Sequence, residues 1–218
     1  MKIFTRFIFI AIPLILSVLF SFSQTSWKGT TSTKWSVATN WTNGVPNSTK
    51  DAILGDANFT GPNQPTVDKT SSCKSLTIGG TATTTLTESK NLTVSGNVVI
   101  NSNGTVNHGN SSISLTGSWT NDGTYSYTSN NAKVIFAGVA QSINGVSVTG
   151  FRKVTINTGC VLTMNVNFST ANILTVNGTI NPNNSPTYTV SPGSMTITSG
   201  GKLFVYAATF AGNYVTNP

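Results

Sequence analysis

Along the chain one short phrase recurs in which apolar and polar residues alternate and a glycine follows, as in KSLTIGG, KNLTVSG, SSISLTG and AKVIFAG. Its first apolar residue falls at Leu76, Leu92, Ile113, Val134, Val154, Leu174 and Met195, with spacings of 16, 21, 21, 20, 20 and 21. Alternation with a period of two is the pattern of a half-buried strand. A fixed recurrence of this length is the pattern of stacked repeats, each too small to bury its own apolar face. Other positions keep the phase: Val98, Trp119, Ala140, Cys160 and Ile180 lie six residues after the phrase starts, and Val106, Tyr127, Val148, Phe168 and Tyr188 lie fourteen after. Both columns are apolar, so about three short strands per repeat are predicted to point inward together. Glycines 80, 96, 117, 138 and 178 close the phrase, where a positive φ would turn the chain. The fold class expected is all-β, a right-handed parallel β-helix, or β-solenoid, with coils of about 20–21 residues. An antiparallel sandwich would not need its columns to stay in phase.

The ends depart from the repeat. Lys2 and Arg6 precede an apolar run from Phe7 to Phe20, and Ser21-Phe22-Ser23 offers small residues on either side of a cleavage point. Residues 1–23 therefore read as a secretory signal peptide cut before Gln24, the run being shorter than the roughly 20 residues of a spanning helix. Residues 24–72 hold three of the four tryptophans and are expected to cap the solenoid of residues 73–218. The last phrase, SMTITSGGKLFVYAATF, leaves an open final coil. That edge suits continuation in a longer solenoid, end-to-end self-association, or cover by the VYAATFAGNYV tail.

Charge changes little in this picture. Only 8% of residues are charged, the formal net charge is +7, and the lysines are scattered along the sequence instead of clustered. Nothing here matches the basic, stacking surface of a nucleic-acid binder. Threonine, serine, asparagine and glycine fill the polar positions, as suits an exposed β-surface.

The W-x7-W-x5-W stretch of Trp27, Trp35 and Trp41, the NGVP that follows, CKSL entering the first phrase, and LTVSGNVVINSNGTVNHGN together resemble secreted bacterial surface proteins. These have β-solenoid, filamentous-haemagglutinin-like passenger regions and are often exported by the type IX system. The resemblance implies the fold and export more than any activity.

Candidate chemistry is sparse. Enzymes on parallel β-helices need several charges on one face, and of the acids only Glu88 and Asp122 lie in the repeats, 34 residues apart. No catalytic residue, metal ligand or cofactor is predicted, although Asp51, Asp56 and Asp68 share a loop-rich stretch where calcium is conceivable. His108 is the only histidine and is expected in a solvated turn. Cys73 and Cys160 lie about four coils, roughly 19 Å, apart and are expected to remain unbridged thiols. Two surfaces remain. Trp27, Trp35 and Trp41 are either the core of the cap or a platform for sugar rings. The outward position of the phrase gives a column of Thr77, Thr93, Ser114, Ile135, Thr155, Thr175 and Thr196, the kind of threonine ladder that ice-binding solenoids display. Its five leading threonines are Thr77, Thr93, Thr155, Thr175 and Thr196.

The function expected is an exported, non-enzymatic scaffold at the cell surface or outside the cell, serving adhesion or as an adhesin's stalk. A carbohydrate-binding module is the alternative and an ice-binding surface the third. The partner expected is a surface ligand, a glycan or another protein, and not nucleic acid.

Overall fold

A computed structural model of the chain describes residues 23–183, 188–204, 209–210 and 213–216. The expected signal peptide lies outside the described residues, as does much of the C-terminal tail. Every strand-to-strand ladder among the described residues is parallel, and the chain winds through about 7 turns of a β-solenoid. No helix is long and apolar enough to cross a membrane.

One coil shows the plan. Leu92–Val94 lies in a ten-stranded sheet, Val98–Ile100 in a nine-stranded sheet and Gly104–His108 in a four-stranded sheet, after which Ser112–Leu115 returns to the first. Each strand is three to five residues long, with its alternate residues buried. The apolar residues of the three sides meet in one continuous core. Inward residues of one coil sit on those of the next, so Leu92, Ile113, Val134, Val154, Leu174 and Met195 form a single in-register column, as the repeat predicts.

The tryptophan-rich segment joins the start of this stack in register, with its three tryptophans buried. Gln24–Ser26 and Asp51–Leu54 are the first two strands of the nine-stranded sheet. Between them Trp27, Trp35 and Trp41 pack edge to face, with centroids 5.1 and 4.7 Å apart. Trp27 Nε1 donates to the Asn63 carbonyl and Trp41 Nε1 to that of Trp35, both at 2.8 Å. The buried Asn40 side chain accepts the N–H groups of Thr31 and Ser32 and so closes the loop over the rings.

Several expected positions are corrected. The residue in register with Leu92 is Ser71, not Leu76, which restores a 21-residue spacing in place of 16. Leu76 lies on the nine-stranded sheet between Ala52 and Val98. The column through Val98 and Trp119 continues to Ile143 and Met164; Ala140 is exposed, and Cys160 is buried just before its strand. Val106 pairs with Tyr125 and not Tyr127, and Phe168 pairs with Thr149, leaving Val148 62% exposed. The cause is turn length. Twenty-four residues separate Trp119 from its partner Ile143 whereas 21 separate Val98 from Trp119, and the three extra residues change which apolar side chain comes inward. The phrase-closing glycines 80, 96, 117, 138 and 178 do not have positive φ. Gly117 and Gly138 are needed because a Cβ there would collide with the backbone of the preceding coil, at Gly96 and Thr116.

Cys73 and Cys160 are free and buried, four coils apart. Burial pushes both thiols up, Cys160 to about 11. Burial also raises Asp68, but hydrogen bonds from the Ser36 hydroxyl at 2.7 Å and N–H at 2.9 Å outweigh it and hold its carboxyl below the ordinary value.

Three outcomes are expected. Val106→Asp should cost about 3 kcal/mol or more in urea unfolding, whereas Val148→Asp should change stability by no more than about 0.5 kcal/mol; equal losses would refute the register. Both thiols should react with iodoacetamide only in denaturant, at pH 8 as at pH 7. The depressed Asp68 carboxyl stabilises the fold above its unfolded pKa of about 3.9 and loses that contribution as pH falls through the folded value. The stability gap between wild type and Asp68→Ala should therefore narrow as pH falls below about 4, and a gap that widened on acidification would contradict this linkage.

Candidate functional site

The surfaces expected from the sequence are not where the structure concentrates its polar chemistry. Trp27, Trp35 and Trp41 are 0–2% exposed. Their faces are consumed by one another, so the sugar-stacking platform does not form. Thr93, Thr155, Thr175 and Thr196 do share an outward column with Ser72, Ser114 and Ile135. Thr77 lies on a different side, beside Ile53 and Val99, because its strand belongs to the nine-stranded sheet. A second hydroxyl surface, unforeseen, covers the four-stranded sheet: Thr85, Thr105 and Thr124 align in one column, and Thr66, Thr87, Asn107 and Ser126 in the next.

His108 is the main correction among single residues. It ends the strand Gly104–His108 with its side chain inward and 0% exposed, not in a solvated turn. In register with it on the preceding coil is Glu88, also 0% exposed. His108 Nε2 lies 3.1 Å from Glu88 Oε2 and 3.2 Å from the Ser111 carbonyl, two acceptors, which assigns that nitrogen its proton. Nδ1 then accepts from the Tyr125 hydroxyl, 2.7 Å away on the following coil. The Ser111 hydroxyl donates to the same Glu88 carboxylate. Burial first, and then the charge of Glu88, push the Tyr125 phenol up, so it stays a neutral donor. The result is a sealed chain from Tyr125 through His108 to Glu88 and Ser111, spanning three coils. Its sequence signal is the 20-residue spacing of Glu88 and His108, one coil, which pairs an acid with a histidine and not with a second acid.

Ser111 joins this interior to the outside. It is 7% exposed and lies at the corner where the chain passes from the four-stranded to the ten-stranded sheet. An open groove of about 400 Å³ runs along that corner, walled by Asn91, Asn110, Ser112, Asn131, Lys133 and Lys153. Lys133 and Lys153 are direct register partners on neighbouring strands, about 4.8 Å apart at the backbone. Like charges placed directly opposite repel. Among the described residues the one lysine paired with a carboxylate is Lys74, with Asp51, so neither groove lysine meets a carboxylate. Lys153 Nζ donates only to the amide oxygen of Asn131, at 3.2 Å. Arg152, next in sequence, lies over the Tyr127 ring at 5.9 Å and has a buried Nε without a partner. The lysines that look scattered in the sequence are thus brought together by the coil period.

The three aspartates considered for calcium serve different neighbours. Asp51 takes Lys74, Asp56 takes the Ser26 hydroxyl at 2.6 Å, and Asp68 takes Ser36. Among the described residues no three potential ligands converge.

The interior chain makes a direct prediction. His108→Leu removes the partner of a buried carboxylate and should cost about 3–5 kcal/mol. Glu88→Gln, which keeps a neutral acceptor, should cost about 1–2 kcal/mol. Urea midpoints would decide, and a larger loss for Glu88→Gln than for His108→Leu would contradict the assignment.

No curated protein and no solved structure matches the chain. Residues 26–137 match the model of one family. That segment runs from the first strand through the tryptophan trio and the Glu88–His108–Tyr125 chain to Lys133. Since it is just over half of the sequence, the chain belongs to the family described as Domain of unknown function (DUF8693).

Proposed function

We propose that the protein is an exported, non-enzymatic β-solenoid scaffold of the cell surface or extracellular space, serving in adhesion or as the stalk of a larger adhesin. One observation carries this reading. Most apolar residues are gathered into one continuous core, with Val139, Val146 and Val148 exposed in turns, while the outside of the strands is largely threonine, serine and asparagine. Nine parallel strands in one sheet make a stiff body on the order of 40 Å long. Its outer amides form ladders, Asn165 donating to Asn144 at 2.7 Å and Asn183 to Asn165 at 2.8 Å, which tie coil to coil on the surface. Hydroxyls and amides keep such a surface wet at any pH and salt that an exported protein meets. Among the described residues the buried pair of Glu88 and His108 is closed to solvent and lies within the stack.

The Trp27, Trp35 and Trp41 region gives a carbohydrate-binding module no exposed ring. The outward threonine column is interrupted by Ile135 and flanked by Lys133 and Lys153, which favours a scaffold surface over an ice-binding plane.

Export is tested in the host. Brief protease treatment of intact cells, followed by mass spectrometry of released peptides, should yield peptides from residues 24–204, or these should appear in the culture fluid. Recovery in the cytoplasmic fraction alone would overturn the reading.

A further inference from the structure

We propose that the groove at Lys133 and Lys153 binds an acidic polysaccharide, gripping a carboxylate or sulfate of the sugar chain between the two ammonium groups. The choice of polymer rests on the exported-scaffold reading, since the polyanions outside a cell are largely glycans. The site itself rests on its own geometry.

The groove offers donors. Asn91 Oδ1 already accepts the Ser112 N–H at 3.0 Å, and Asn131 Oδ1 accepts Lys153 Nζ. What these two amides turn to a ligand is therefore their NH₂ groups, beside two ammonium groups. Such a set is matched by acceptors: ring hydroxyls along the groove and one oxyanion at the lysines. The register starts both lysines from adjacent strands at the same groove, within reach of one oxyanion, which would replace the repulsion of like charges by two charge-assisted hydrogen bonds. The Ser111 hydroxyl is turned inward to Glu88 and leaves the floor uncrowded. A nucleic acid would ask for exposed rings on which bases stack. None lines this groove, whose walls are asparagine, serine and lysine. A volume of about 400 Å³ lies within the usual range for small-molecule sites.

The test measures binding of the full-length chain to polygalacturonate, dextran sulfate, neutral dextran and single-stranded DNA by isothermal titration calorimetry at two salt concentrations. Binding of polygalacturonate or dextran sulfate, weakened by salt, with neutral dextran silent, is expected; which of the two is tighter tells carboxylate from sulfate. The double variant Lys133→Gln/Lys153→Gln should weaken binding about tenfold or more, and Lys28→Gln/Lys34→Gln should not. Asn131→Asp, which gives Lys153 a carboxylate of its own, should weaken it as well. Removing the like-charge contact should leave the thermal midpoint of the double variant equal to or above that of wild type, so a loss of binding cannot be a loss of fold. Unchanged affinity in the double variant, equal binding of neutral dextran, or tighter binding of DNA than of either polysaccharide would overturn the proposal. A chain found on the cell surface that binds none of the polysaccharides refutes the site and leaves the scaffold reading standing. A cytoplasmic chain that binds them does the reverse.

Discussion

The whole molecule depends on the parallel hydrogen bonding of each coil to the next. Backbone N–H and C=O groups of the strands are satisfied largely by the coil before and the coil after, so a single coil has no stable existence. The same bonding makes every residue the close neighbour of the one about 21 positions away. Similar residues then stack whether or not the stacking is favourable. Leucine on isoleucine on valine builds the core, and asparagine on asparagine builds an outer ladder. Lysine on lysine is the unfavourable case, and it is the case that leaves a charge for something else to neutralise.

The sequence was most legible where this rule acts without interruption. From Leu92 to Met195 the phrase keeps 20 or 21 residues, and the column forms as the pattern predicts. It was least legible across turns. The loop around Gly145, with φ +115°, adds residues that the alternation cannot place, so Val148 points out where Thr149 points in. Tyr125 and Tyr127 show a finer ambiguity. Both are aromatic, both lie on one strand face, and only the pairing with Val106 or with His108 tells them apart. Leu76 was misplaced for a related reason: Ser71 and Ser72 are polar where the phrase is apolar, so the next leucine looked like the start. The groove lysines were invisible as a pair for the opposite reason, since 20 residues of sequence hide one rung of sheet.

The buried chain of Tyr125, His108, Glu88 and Ser111 has a cost that apolar packing would not have, because Glu88 Oε1 has no partner. What it adds is register. If the four-stranded sheet slipped by one residue, Glu88 and His108 would both turn outward and apolar contacts would be lost with them. The hydrophobic columns alone are more forgiving, since valine and isoleucine fit almost interchangeably. A polar clasp across three coils distinguishes the native stacking from its near neighbours in a way that the rest of the core does not.

Parallel winding also governs how the body meets tension. A pull between the two ends of a solenoid acts along the stacking direction, so the terminal coil peels from its neighbour while the remaining ladders stay intact. Each coil of 21 residues that lets go adds roughly 70 Å of slack, at 3.3–3.6 Å per extended residue, before the next is loaded. The rupture front would then reach the hydrogen-bonded clasp of Glu88, His108 and Tyr125 only after the coils outside it had yielded. A tether of this construction dissipates a jerk in instalments, and its compliance is written in the length of the coil.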